Sequence, residues 1–177
     1  MKKSIVTKKG DRGYSSLMDG KKFLKSKLIF EILGQMDKLS VDCSLALIYL
    51  PKKEKSIAIF LKKIQQQLYY LSAFLAGYEK TKESNFLIQI EDEIKTLENK
   101  INDDLKHFIF NSWQLETIYL DVLRVNSRSL ERLVVRFSLH KSQFHFLLPI
   151  LNRLSDYFFL AKVYVHQKYK FKVEELS

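Results

Sequence analysis

The chain has 177 residues, 46% of them hydrophobic and 28% charged, with only 5 Gly, 2 Pro and 1 Cys. That apolar share excludes disorder along the whole chain, and so few Gly and Pro argue against a many-stranded sandwich or barrel. A net charge of +10 points first to a polyanion (nucleic acid, an acidic membrane surface or a polyphosphate ligand), although scattered surface lysines give the same sum.

Residues 1–25 show no sustained helical period and hold Gly10, Gly13 and Gly20 among Asp11, Ser15, Ser16 and Asp19, which predicts an ordered loop with at most a short turn. From about Ser26 the residues Ile29, Ile32, Met36, Leu39, Cys43, Ala46 and Leu50 step by threes and fours, the seam of a long helix that Pro51 ends. A second seam runs from Ile57 through Leu61, Ile64, Leu68, Leu71 and Leu75 to Tyr78. After a polar break at Lys80–Asn85, a third helix carries Phe86, Ile90, Ile94, Leu97, Ile101 and Leu105. The last two are expected at about Gln114–Leu139 and Ser142–Lys168, with Pro149 kinking the final helix or marking where it becomes regular. Five helices on short links predict a single all-α domain over 1–177, a five-helix antiparallel bundle with no sustained strand.

No uncharged apolar run reaches the roughly 20 residues of a membrane span, and Met1–Lys9 lacks the apolar stretch of a secretory signal, so a cytoplasmic protein with no membrane partner is expected. Cys43 stands alone, which rules out an internal disulfide and a cysteine-built zinc site. His107, His140, His145 and His166 lack metal-ligand spacing.

Three segments could carry chemistry. In Thr7–Leu17, two glycines three residues apart let the backbone turn sharply and aim N–H groups at an anion. Thr7, Ser15 and Ser16 add hydroxyls, and Lys8 and Lys9 add positive charge. No Gly-Lys-Ser/Thr follows, so this is not a Walker loop, and a plain Gly-Asp surface turn fits the same residues. On the fourth helix Asp121, Arg124, Arg128 and Glu131 are spaced three, four and three apart and share one face. That stripe suits bidentate holding of phosphate, or equally a solvent-facing ladder of ion pairs. On the fifth, Asn152 and Asp156 interrupt an apolar stretch, either as ligands or as a network that fixes helix register.

Taken in order and register, these segments resemble the PduO-type ATP:cob(I)alamin adenosyltransferases. The loop Thr7-Lys8-Lys9-Gly10-Asp11-Arg12-Gly13-Tyr14-Ser15-Ser16-Leu17 is similar to that family's opening motif, with Ser15 in place of threonine. Glu31-Ile32-Leu33-Gly34-Gln35-Met36-Asp37-Lys38-Leu39-Ser40 follows its Glu-x-x-Gly-x-x-Asp-Glu-Leu-Asn segment, with one charge reversed beside Asp37. Phe108-Ile109-Phe110 precedes Arg124, Arg128, Glu131 and Arg132 at the family's spacing, and Leu151–Phe159 carries the whole Leu-Asn-Arg-Leu-Ser-Asp-Tyr-x-Phe signature. The family's Pro-Gly-Gly turn is here Asn111-Ser112-Trp113-Gln114, and the second arginine of its pair is Ser129.

The resemblance implies a homotrimer with active sites between subunits, which moves the 5′-deoxyadenosyl group of ATP to Co(I) of cob(I)alamin and releases triphosphate. It implies that Thr7, Lys8, Gly10, Asp11, Gly13, Ser15 and Ser16 hold ATP from one subunit, while Arg128, Glu131 and Asn152 meet the nucleotide from its neighbour, with Mg²⁺ on the phosphates. Arg124 would pair with Asp37 across the interface, and Phe108 would lie against the lower face of the corrin. The catalytic set so implied is Arg128, Phe108, Asp37 and Arg124, with no protein-built metal site and no nucleic-acid partner. The altered turn at Asn111–Gln114 keeps a second reading open: a nucleotide- or corrin-binding module with weakened catalysis.

Overall fold

The computed structural model describes residues 6, 8, 10–18, 20–78, 85–101 and 114–171. Helix α1 (Leu28–Tyr49) stops because Pro51 forces the residue before it out of the helical region: Leu50 is extended, at φ −60° and ψ 134°. The chain turns at once into α2 (Lys55–Leu75). Helix α3 spans Phe86–Glu98, α4 Leu115–Ser138 and α5 Leu147–Lys168. Glu116 in the first turn of α4 and Arg136 in its last complement the helix dipole.

Hydrogen bonds and ion pairs between helices fix the order. The Gln65 amide on α2 donates to the Ser40 carbonyl and the Ser44 hydroxyl on α1. On the other side of α1, Asn126 of α4 donates to Asp42 at 2.7 Å. Helix α4 is tied to α5 by the Ser127 hydroxyl, which donates to the Leu151 carbonyl at 2.9 Å, and by an ion pair from Lys162 to Asp121. Pairs of rising and falling numbers make α1, α4 and α5 successively antiparallel. Helix α3 runs parallel to α5, since Glu91 faces Arg153 and Lys100 lies over the Tyr164 ring. Phe60 of α2 meets Phe86 of α3 and Tyr157 of α5 (centroids 6.4 and 4.8 Å apart), which closes the bundle round a largely apolar centre. Phe86 and Phe158 are completely buried, each contributing about 1.5–3 kcal/mol by removal from water; Tyr157 is buried as fully, but its hydroxyl meets no hydrogen-bond partner among the described residues, which offsets part of its gain.

The all-α expectation holds for the bundle, with three differences. Strands β1 (Tyr14–Ser16) and β2 (Lys22–Leu24) pair antiparallel, Ser15 opposite Phe23, where only a loop was expected. They are three residues long and turn through Gly20 at φ +76°, too short for an alternating pattern to register. Second, α3 ends at Glu98; Ile101 is buried in the turn that follows, and Leu105 lies outside the described residues. Third, a 3₁₀ turn at Ser142–Phe144 precedes α5, which begins only at Leu147. Pro149 therefore stands in the first turn, where the missing N–H would have had no helical acceptor, and the helix continues unbroken to Lys168. Among the described residues no helix is long and apolar enough to cross a membrane.

Candidate functional site

The N-terminal loop is a pair of tight turns laid against a hairpin. The Asp11 N–H donates to the Lys8 carbonyl at 3.3 Å and the Gly13 N–H to the Gly10 carbonyl at 3.2 Å. Lys8 and Gly13 have positive φ (55° and 77°), the second being a conformation a side chain would strain. Lys25, just past β2, folds back so that its ammonium donates to the Gly10 carbonyl at 2.9 Å. A Cβ on residue 10 would come within 2.9 Å of that ammonium, so glycine there leaves room for it. Lys25 was not among the sequence-based candidates; its only signal was membership of a lysine cluster fifteen residues downstream. The loop thus exposes Lys8, Asp11, Gly13 and Ser16, keeps Ser15 half-buried, and presents two lysines. Thr7 lies outside the described residues.

The hairpin seats this loop at one end of the bundle. The Met18 N–H donates to the Ala76 carbonyl just past α2, at 2.9 Å. Leu17 and Phe23 roof a cavity of about 300 Å³ walled by Ile29, Leu75, Phe137 and Phe144.

On α4 the four spaced residues do share a face, but they are not equivalent. Asp121 is buried; Arg124 is half-buried and donates through Nε to Asp121 Oδ1 at 2.7 Å; Arg128 is exposed; Glu131 is half-buried. The picture of a solvent-facing ladder fails at Asp121, whose second partner is a buried lysine on α5. Farther along, Asn152 Nδ2 donates to Glu131 Oε1 at 3.3 Å, which joins the α4 stripe to the α5 motif. Arg153 sets the amide's orientation: its Nη1 donates to Asn152 Oδ1 at 3.0 Å and to Asp156 Oδ2 at 2.6 Å. Asp156 therefore belongs to a group facing α3, where Arg153 also approaches Glu91, and not to the α4 face.

Arg128, Glu131 and Asn152 thus form one polar surface across α4 and α5. No hydrogen bond or ion pair among the described residues connects it with the loop of the same chain. Phe137, at the hairpin end of α4, is six residues beyond Glu131, about 9 Å along the helix. Asp37 is exposed on α1 with no ion-pair partner among the described residues of the subunit. Arg124 is engaged with Asp121 of its own chain. Phe108 lies outside the described residues, as do Asn111–Trp113. Lys38, where one charge is reversed against the motif, is not left facing Asp37 unpaired. Its ammonium bonds Asp42 Oδ2 at 2.9 Å, the oxygen that Asn126 also supplies with a proton. Cys43, beside Asp42, is fully buried, and burial with that neighbouring charge pushes its thiol up to about 12, so it is no nucleophile.

Among the described residues no group of three or more His, Cys, Asp or Glu is placed to hold a metal. Glu131 offers one carboxylate. That suits Mg²⁺ carried on phosphate oxygens, which takes one or two carboxylates and keeps several waters, but not a cation held by protein alone.

Residues 5–165 match the cobalamin adenosyltransferase family profile. The corrinoid adenosyltransferase MMAB of Mus musculus is 31% identical over 173 residues, spanning 93% of this chain and 73% of the mouse protein. A Bacillus subtilis corrinoid adenosyltransferase is 30% identical over 89% of this chain and 83% of its own length. In three dimensions the chain superposes on a variant PduO-type ATP:corrinoid adenosyltransferase from Lactobacillus reuteri complexed with cobalamin and ATP. The TM-score is 0.83, with 25% identity, over 95% of this chain and 94% of the other.

Proposed function

This chain belongs to the cobalamin adenosyltransferase family, and from that premise we propose that it transfers the 5′-deoxyadenosyl group of ATP to Co(I) of cob(I)alamin, releasing triphosphate. The observation that carries the assignment to particular residues is the Asn152–Glu131 hydrogen bond, which brings two separate motifs into a single surface beside Arg128.

The chemistry asks little of acids and bases. Cobalt supplies the electron pair, the C5′–O bond breaks, and the carbon attacked loses no proton. The protein's share is to align the two reactants and to stabilise negative charge gathering on the triphosphate. Lys8 and Lys25, with the turned backbone at Gly10 and Gly13, hold the phosphates; Ser15 and Ser16 donate from the hairpin. Arg128 adds a planar, permanently charged donor fork, and Asn152 orients the nucleotide while Arg153 fixes its amide. Glu131 would take a phosphate-bound Mg²⁺, which neutralises part of the leaving group's charge when present. Thr7 joins the phosphate set, and Phe108 the corrin side, on the resemblance alone.

Among the described residues no hydrogen bond or ion pair joins the loop to the α4/α5 surface of the same subunit, which supports a site completed by a neighbour in a homotrimer. Helix α1 supports this too. Gly34, Asp37, Val41 and Ile48 fall on one exposed stripe, with Val41 and Ile48 at 55% and 71% exposure. A helix-interior glycine costs about 1 kcal/mol, and among the described residues nothing beyond the neighbouring backbone of α1 lies within 4 Å of where a Cβ at Gly34 would stand. Close approach of another chain gives it a reason. On this surface Asp37 of one subunit meets Arg124 of the next.

Calorimetric titration with ATP tests the reading. Wild type binds; Arg128→Ala binds at least about tenfold more weakly, the about 1.4 kcal/mol expected from losing one charge-assisted phosphate contact, with its melting curve unchanged. A folded, trimeric wild type that binds no ATP, or forms no adenosylcobalamin from ATP and reduced cobalamin, refutes the proposal.

A further inference from the structure

Packed protein interiors hold few voids larger than a water molecule. The end of the bundle beneath the hairpin departs from that, with about 300 Å³ open between the roof, Leu17 and Phe23, and the helices below. A cavity of about 150 Å³ already takes up benzene, and natural small-molecule sites begin near about 300 Å³. The wall is aromatic: the Phe137 and Phe144 rings lie with centroids 5.3 Å apart, tilted by 36°. Two lysines complete the lining, Lys27 and Lys141, and both are exposed, which marks the side open to solvent. No carboxylate lines the cavity, and neither lysine has an ion-pair partner among the described residues. The Lys141 ammonium stands 5.0 Å from the centroid of the Phe137 ring, so its charge lies against the apolar wall. Lys27 is the N-cap of α1, and no side chain caps that terminus, so the helix dipole adds to the positive side. An apolar chamber with unanswered positive charge at its mouth is complementary to a molecule with an apolar body and an anionic head.

We propose that this cavity is a second ligand site, taking a small molecule with an aromatic or short aliphatic body and one carboxylate. The body lies under the hairpin, held by burial and by ring-edge contacts. The carboxylate lies between Lys27 and Lys141, which select it over a neutral group of the same shape. None of the residues assigned above to the phosphates lines the cavity, so the site is separate from the nucleotide loop although Ser15 and Ser16 belong to the same hairpin.

The probe is 2-naphthoate, with 2-naphthamide as its neutral counterpart, each titrated calorimetrically into the full chain. Proton NOEs from the naphthyl ring to the Phe144 ring locate what binds. Naphthoate is expected to bind below about 1 mM, and the amide about fivefold more weakly, the preference that exposed charge pairs supply. Lys27→Met combined with Lys141→Met should bind the two probes equally. Leu28→Trp, which fills the cavity from the first turn of α1, should bind neither and keep its melting curve. ATP and naphthoate should bind the wild type together. Equal binding of the two probes to the wild type, no NOE to Phe144, or mutual exclusion of naphthoate and ATP overturns the proposal. Should Leu28→Trp fail to fold, the double lysine variant supplies the decision: an undiminished preference for naphthoate overturns it. A wild type that takes up naphthoate but no ATP refutes the functional reading and leaves this site standing; one that binds ATP but not naphthoate overturns this inference alone.

Discussion

Replacing Lys38 by glutamate restores the charge that the family motif carries at that position, and here it should do harm. Asp42 is 6% exposed and accepts at one oxygen from both Lys38 (2.9 Å) and Asn126 (2.7 Å). Lys38→Glu removes the cation and places a second carboxylate one helical turn from a buried one. Losing an i,i+4 pair on a half-exposed lysine costs about 0.5 kcal/mol. Two carboxylates about 5 Å apart repel by about 3 kcal/mol at an effective dielectric of 20. Because the side chain at 38 is 51% exposed and can swing into water, about 1–1.5 kcal/mol of this should survive screening. The sum is about 2 kcal/mol, a fall of roughly 4–8 °C in Tm for a chain of this size. Urea unfolding of four proteins measures it: wild type, Lys38→Glu, Asp42→Ala and the double variant. In the Asp42→Ala background Lys38→Glu should cost no more than about 0.5 kcal/mol, leaving a coupling energy of at least about 1 kcal/mol. Equal costs in the two backgrounds would show that Asp42 is not what Lys38 answers to, and the compensation argument would be wrong.

Three further outcomes follow from titratable groups that are buried or half-buried. Cys43, whose thiol is pushed up to about 12 by burial, should give no iodoacetamide adduct in the native protein at about pH 8 and a complete one in concentrated guanidinium; native labelling would mean an open bundle. His166 is held below its ordinary value of 6.5 by burial and then by Lys162, so the fold keeps it neutral. Its contribution is fully present above 6.5 and lost as pH falls through the folded value. Tm should therefore drop as pH falls below 6.5, and His166→Gln should flatten that slope. Glu93 is shifted the opposite way, raised above 4.5 chiefly by burial, with Lys100 and Lys63 opposing. Its contribution is present below 4.5 and lost as pH rises through the folded value, so Glu93→Gln should raise Tm at pH 7 and not at about pH 3; a lower Tm at neutral pH would show that the charge is used.

The helices were legible because a buried face imposes a 3.6-residue period on the residues themselves. Ile29 through Leu50 and Ile57 through Leu75 mark both the seams and their burial, and Pro51 marks the stop through its effect on the residue before it. The loop's glycines, the α4 stripe and the α5 signature were readable for a similar reason, since each is a local spacing. The sequence could not say which member of a stripe looks inward. Asp121 and Arg124 lie on the same side of one helix, yet one is buried against Lys162, forty-one residues on, and the other reaches the surface. Lys38 has its counter-charge, Asp42, one turn on in the same helix, a spacing the sequence carries; that Asp42 is buried and also takes a hydrogen bond from Asn126, eighty-four residues away, came only with the packing of α4 on α1. The hairpin, with three residues per strand, left too little periodic signal, and what holds it is the Ala76 carbonyl and the apolar roof of Leu17 and Phe23. Period and punctuation are properties of a chain; the partner of a buried charge is a property of packing. Only the tertiary structure could decide it, because burial sets both the cost of leaving a charge unpaired and the distance at which a partner can be found.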